Sequence, residues 1–132
     1  MRLWHVDLLE YLPKGQLLSQ WRELNSIFTK EDKHILINYI YEYPKGELYA
    51  YTEEVMDEMK KRGYKIRTYE KMNKYFENLE SVKNDKPFKN HHDNEYLQIC
   101  YYNLKEKYIR GQKDYEKDMY DNLCKYVNDI LS

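Results

Sequence analysis

The chain has 132 residues, 22 basic and 23 acidic side chains, and a formal net charge of −1. That length suits one domain with one core, the near-neutral balance argues against a strongly polycationic nucleic-acid binder, and no apolar run is long enough to span a membrane. Hydrophobic residues make up 42%, enough for a core, and 16 Tyr against 3 Phe make part of that core tyrosine-lined.

In chain order, residues 1–12 read as an ordered lead-in with a turn of helix through Val6–Tyr11. Leu3 and Trp4 favour burial. No basic-plus-apolar leader precedes them, so a cytoplasmic protein without a signal peptide is expected. Pro13 and Gly15 punctuate the start of a helix from about Lys14 to Phe28, whose Leu17, Trp21, Leu24 and Phe28 recur at helical spacing as a buried stripe. Thr29-Lys30-Glu31-Asp32 resembles a capping box and predicts a second helical segment through Ile35–Tyr41. The β-branched and aromatic composition there also suits a buried strand, but no partner strand is evident.

Pro44-Lys45-Gly46 reads as a turn. From Glu47 a helix follows with Leu48, Tyr51, Val55, Met56 and Met59 inward, stopped by Gly63. A shorter helix is predicted in 69–82 around Met72, Phe76 and Leu79, then a polar loop from Asn84 to Asn94. Two more helices close the chain. The first, from about Asp93 to Arg110, has Leu97, Cys100, Tyr101, Leu104 and Tyr108 on one side and ends at Gly111. The second, from about Asp114 to Leu131, buries Met119, Leu123, Val127 and Ile130. The expected class is all-α, a single compact domain with its N-terminal segment packed into the helix bundle.

At about 100° per residue, Glu23 falls almost opposite Trp21, on an outer face with Ser19, Arg22 and Ser26. On spacing alone, Arg22-Glu23 is a solvated pair of little energetic weight. The lead-in adds a second consideration. A buried start draws the α-amine of Met1 inward, and an α-amine, with a reference pKa near 8, is partly an unprotonated nucleophile at neutral pH.

Other constellations carry less. Cys100 and Cys124 read as small hydrophobes rather than a disulfide. His91-His92-Asp93 invites a metal, but adjacent histidines on a helix diverge, and an N-cap at Asp93 or Asn94 accounts for the polarity, so no metal is expected. The 4 glycines are isolated, which leaves no phosphate loop and no nucleotide cofactor.

Charge is uneven. Lys45 stands alone against Glu42, Glu47, Glu53, Glu54, Asp57 and Glu58. Lys60, Lys61, Arg62, Lys65, Arg67, Lys71 and Lys74 then surround Glu70, with Lys83, Lys86 and Lys89 beyond. Those cations either answer helix macrodipoles and decorate a solvated loop, or build a local field for a polyanion.

Met1-Arg2-Leu3, the run Gln16 to Leu24 with its Arg22-Glu23-Leu24, Lys33-His34 at the matching distance, and Leu48 to Gly63 resemble the pyrimidine-dimer DNA glycosylases, the phage endonuclease V-like family with bacterial relatives. The likeness covers residues 1–67 well and 91–110 weakly, with His92 nearest the family's histidine before its third helix and residues 111–132 an extra C-terminal helix. It implies DNA repair by a glycosylase with abasic-site lyase activity. The α-amine of Met1 attacks sugar C1′ of the damaged nucleotide to give a Schiff base, and Glu23 assists. Arg2 and Arg22, and with them Lys33, His34 and Lys107, hold phosphates. The implied partner is lesion-bearing double-stranded DNA, met by a monomer without cofactor.

The chain also departs from the family. Arg2 is bulky enough to keep Met1 in place. Asn25-Ser26 and Asn103 stand where the family has cations, the balance is acidic, and the family's aromatic C-terminal tail has no match. These departures motivate an alternative of another class, a small helical binding protein that kept the fold and lost the chemistry.

Overall fold

Pro13 and Pro44 stand directly before the two long N-terminal helices, α1 (Lys14–Thr29) and α2 (Lys45–Lys61). Each lacks an N–H where a helix start would leave one unpaired, and each holds φ near the helical value, so the helix begins at the next residue. The computed structural model describes residues 2–79, 84 and 86–132. The remaining elements are α3 (Glu70–Tyr75), α4 (Asn94–Ile109) and α5 (Lys117–Leu131), with short 3-10 segments at Val6–Tyr11 and Asn38–Glu42. No strand occurs among the described residues, and the class is all-α.

α1 packs on α2 and α3, α4 packs on α5, and the first 3-10 segment bridges α2 to α5. Two helices end alike. Gly63 (φ +81) and Gly111 (φ +84) take the left-handed conformation that glycine adopts without penalty. The backbone then folds back, Tyr64 N–H to the Met59 carbonyl at 2.9 Å and Gln112 N–H to the Lys107 carbonyl at 3.0 Å, which pairs the last turn's orphan carbonyls. At the other end of α4, the Asp93 side chain caps the Tyr96 N–H.

Four expectations are corrected. First, Thr29 is not a cap but the last residue of α1, its hydroxyl bonded back to the Asn25 carbonyl at 3.0 Å. The segment beyond is turns and one 3-10 piece rather than a second α-helix. Asp32 accepts from the His34 N–H, and His34 Nδ1 from the Leu36 N–H, local bonds that compete with a helical ladder. Ile37, Tyr39 and Ile40 go inside while Ile35 is 80% exposed.

Second, the buried stripe of α1 is Leu17, Gln20, Leu24, Ile27 and Phe28, with Trp21 only half-buried at its flank. Third, the segment after Asn84 is irregular, yet it delivers the fully buried Phe88 (φ +56) and buried His92 to the core. Phe88 packs against Tyr39, Tyr43 and Tyr51, contacts that hold a non-glycine residue in left-handed backbone. Fourth, α5 starts three residues late. Asp114 is engaged with the Gly15 N–H and Gln112, and Tyr115 turns inward to donate to the Tyr11 carbonyl.

The short helix forms where 69–82 was read, with Met72 and Phe76 buried; positions 80–82 of that range lie outside the described residues. The C-terminal extension docks through tyrosines. Tyr108 and Tyr120 stack 3.9 Å apart at 3° between planes, and Tyr126 donates to Asp7. Leu123 and Val127 are buried, whereas Ile130 in the last turn of α5 is 42% exposed. Cys100 is buried and Cys124 half-buried, and they are not joined.

Candidate active site

The lead-in reaches the core as extended chain, so its backbone polar groups need partners that no helix supplies. α1, α2 and α4 supply them. The Trp4 N–H donates to Gln20 Oε1 at 2.8 Å, and Gln20 Nε2 donates to the Arg2 carbonyl at 3.3 Å. The Tyr51 hydroxyl donates to the Trp4 carbonyl at 2.6 Å, with its oxygen 3.0 Å from Gln20 Oε1. The Tyr96 hydroxyl donates to the Leu3 carbonyl. Three helices therefore fix residues 2–4 by hydrogen bonds in addition to burial of Leu3 and Trp4.

Behind them sits His92. Its Nδ1 accepts from the Val6 N–H at 3.2 Å, which places the proton of the neutral ring on Nε2, 2.6 Å from the Tyr39 hydroxyl. Burial, reinforced by His5 and His91, pushes the imidazole down to about 2. His92 is thus a neutral structural residue, in ring contact with both His5 and Tyr96, which also touch each other. Among the described residues no group of three or more His, Cys, Asp or Glu could hold a metal ion.

A cleft of about 300 Å³ opens between the lead-in, α1 and α4, lined by Arg2, Trp4, Ser19, Glu23, Asn103 and Lys107 among others. Glu23 belongs to it because of how α1 is rolled. With Gln20 and Ile27 inside, Glu23 stands about 60° from the first and 40° from the second around the helix, at the border of the buried face. Its Oε1 is a buried polar atom with no hydrogen-bond partner among the described residues. Burial raises its carboxyl above the usual value, Asp32 adds to that, and His34 opposes it.

The residues singled out by sequence divide accordingly. Arg2, Glu23 and Lys107 line one cleft, and His34, though exposed, acts electrostatically on Glu23. Arg22 makes no pair with Glu23. Its Nη2 donates to Ser19 Oγ at 3.0 Å, and its side chain lines a different groove. Lys33 stands apart, 3.7 Å over the Tyr41 ring and 4.0 Å from Glu31. Met1 lies outside the described residues. The residue that sequence reasoning passed over is Gln20, and its signal was a polar side chain at an apolar position, between Leu17 and Leu24.

A family model described as pyrimidine dimer DNA glycosylase matches residues 1–72, more than half of the chain. That span contains the lead-in and α1, two of the three walls just described, and α2, whose Tyr51 holds the lead-in. No curated protein and no solved structure matches the chain.

Proposed function

The chain belongs to the pyrimidine dimer DNA glycosylase family, and from that premise we propose that it excises a dimerised pyrimidine from duplex DNA and nicks the strand at the abasic site left behind. The α-amine of Met1 attacks C1′ of the damaged nucleotide. The glycosidic bond breaks, its electron pair leaves with the base, and loss of a proton from nitrogen with opening of the sugar gives an imine to C1′. Abstraction of a proton from C2′ then expels the 3′ phosphate, which is the nick.

Glu23 stabilises the positive charge that develops at C1′ and nitrogen, and relays protons between the amine and the sugar. Arg2 and Lys107 hold the phosphates on either side, with His34, Arg22 and Lys33 further out along the backbone; such contacts position DNA without reading sequence.

One observation carries this reading. A carboxylate oxygen is desolvated in a cleft with two cations and has no donor among the described residues. A purely structural carboxylate at such a site is normally hydrogen-bonded. Burial also raises its pKa, the direction expected of a carboxyl that exchanges protons. The net charge of −1 favours the second reading, a helical binding protein without the chemistry.

Borohydride trapping separates the two. Untagged protein is mixed with duplexes carrying a thymine dimer or an abasic site, and the adduct is located by mass spectrometry. The expected result is a reduced imine on Met1 with both substrates. An adduct with the abasic duplex alone leaves a lyase without the glycosylase step. Folded protein with an open amine and no adduct leaves the binding protein.

A further inference from the structure

On the flank of α1 away from Glu23 runs a second groove of about 510 Å³, between α1, the end of α2 and the start of α3. Its floor is apolar, with Leu18, Met59 and Ile66, and its rim carries Arg22, Lys65, Arg67 and Lys71. The alternation after Gly63 explains the rim. Residues 64–69 have no helical pairing, and in that irregular chain Ile66 turns half inward while Lys65 and Arg67 stay exposed. No carboxylate lines the groove, and none of its four cations forms an ion pair among the described residues. The helix-dipole account does not extend to Lys65 and Arg67, which lie beyond the end of α2 and before α3.

We propose that this groove holds the phosphodiester backbone of the duplex beyond the lesion, as a second phosphate track that continues from the Glu23 cleft. The inference rests on the glycosylase reading for its ligand. Charge complementarity selects a polyanion, because like-charged side chains over a low-dielectric floor focus a positive potential. Continuity selects the same DNA that the cleft receives. Arg22 lines the groove, Ser19 lines the cleft, and the two are hydrogen-bonded at 3.0 Å on adjacent turns of α1. A strand leaving the cleft past Ser19 meets Arg22 next and then the rim. Trp21, half-buried in the same wall, gives the sugar edge an apolar surface. The track also accounts for a DNA-directed surface on a chain of net charge −1, since the field that matters is local.

The test is the salt dependence of binding to two abasic-analogue duplexes, one ending beside the lesion and one extended by a full helical turn. Wild-type protein shows a steeper dependence on the longer duplex. The triple variant Lys65→Ala, Arg67→Ala, Lys71→Ala shows a slope of log K against log salt shallower by roughly 0.9 per contact, about 2.7 in all, and no longer distinguishes the two lengths. Lys71→Glu, a single exposed change, moves affinity the same way should the triple variant fail to fold. A variant slope equal to wild type on the longer duplex, with wild type nicking normally, overturns the track and leaves the glycosylase reading intact. Wild-type protein that neither binds nor nicks overturns both.

Discussion

The cleft around Glu23, about 300 Å³, and the cleft between the first 3-10 segment and α2, about 380 Å³, both hold carboxylates. In the second, Glu10, Glu54, Asp57 and Glu58 crowd together with Asp7. Glu58 is paired there with Arg62 at 2.8 Å, and that guanidinium also donates to the carbonyls of Leu9, Glu10 and Leu12. Asp7 accepts from Tyr126. The acidic cleft is thus partly knitted into the fold, whereas Glu23 sits beside cations with one oxygen unpartnered among the described residues. The difference separates a carboxylate that holds elements together from one kept ready for something else. It also shows why net charge misleads, because the acids that balance the sum are concentrated in another cleft.

Exchanging the roles of the two carboxylates tests that contrast. The largest effect is expected from Glu23→Gln, which lowers nicking by roughly 10²–10⁴-fold, the range for a lost proton-transfer group. The readout is single-turnover cleavage of a dimer duplex. Glu58→Ala is expected to do the reverse. It leaves single-turnover cleavage near wild type and costs about 1–3 kcal/mol in chemical denaturation, because Arg62 loses its charged partner in a largely buried place.

The smallest effect is on the stability of Glu23→Gln. Since burial raises the carboxyl pKa above its ordinary 4.5, the folded state holds that proton more tightly than the unfolded state does. Ionising Glu23 therefore costs stability above that ordinary value, and the variant escapes the cost. Its melting temperature is expected to match wild type in acid, to rise above it as pH passes through the raised pKa, and to keep a constant small excess beyond that. A variant less stable than wild type at neutral pH would make Glu23 a structural residue like Glu58.

Much of this was legible in sequence because it depends on local chemistry. Pro13, Pro44, Gly63, Gly111 and Asp93 set helix ends within one turn of themselves, and Leu48, Tyr51, Val55, Met56 and Met59 of α2 are all buried as their period requires. The segment from Thr29 to Glu42 was not legible, since its side chains bond to nearby backbone and its apolar residues answer to Phe88 and His92, far along the chain. Glu23 was legible as a residue type and through the family likeness. Its position at the border of the buried face was not, because the roll of α1 is set by Gln20, whose partners are the lead-in backbone and Tyr51. The separation of Arg22 and Lys33 from Glu23 also escaped, for adjacency in sequence says little about which cleft a long side chain enters.

Besides Tyr51, three tyrosines that pin the lead-in come from late in the chain. Leu3, Tyr11 and Asp7 receive hydroxyls from residues 93, 104 and 119 positions further on. Part of the pinning of the lead-in is therefore complete only when α4 and the chain into α5 are in place. A fragment limited to residues 1–72, the part that matches the family, would leave those acceptors to water. Gln20 can hold Arg2 beside α1 within that part, but Lys107 and the α4 wall of the cleft come from beyond it, and docking of α4 and α5 on the lead-in, a contact of high sequence separation, is expected to be the slow folding step.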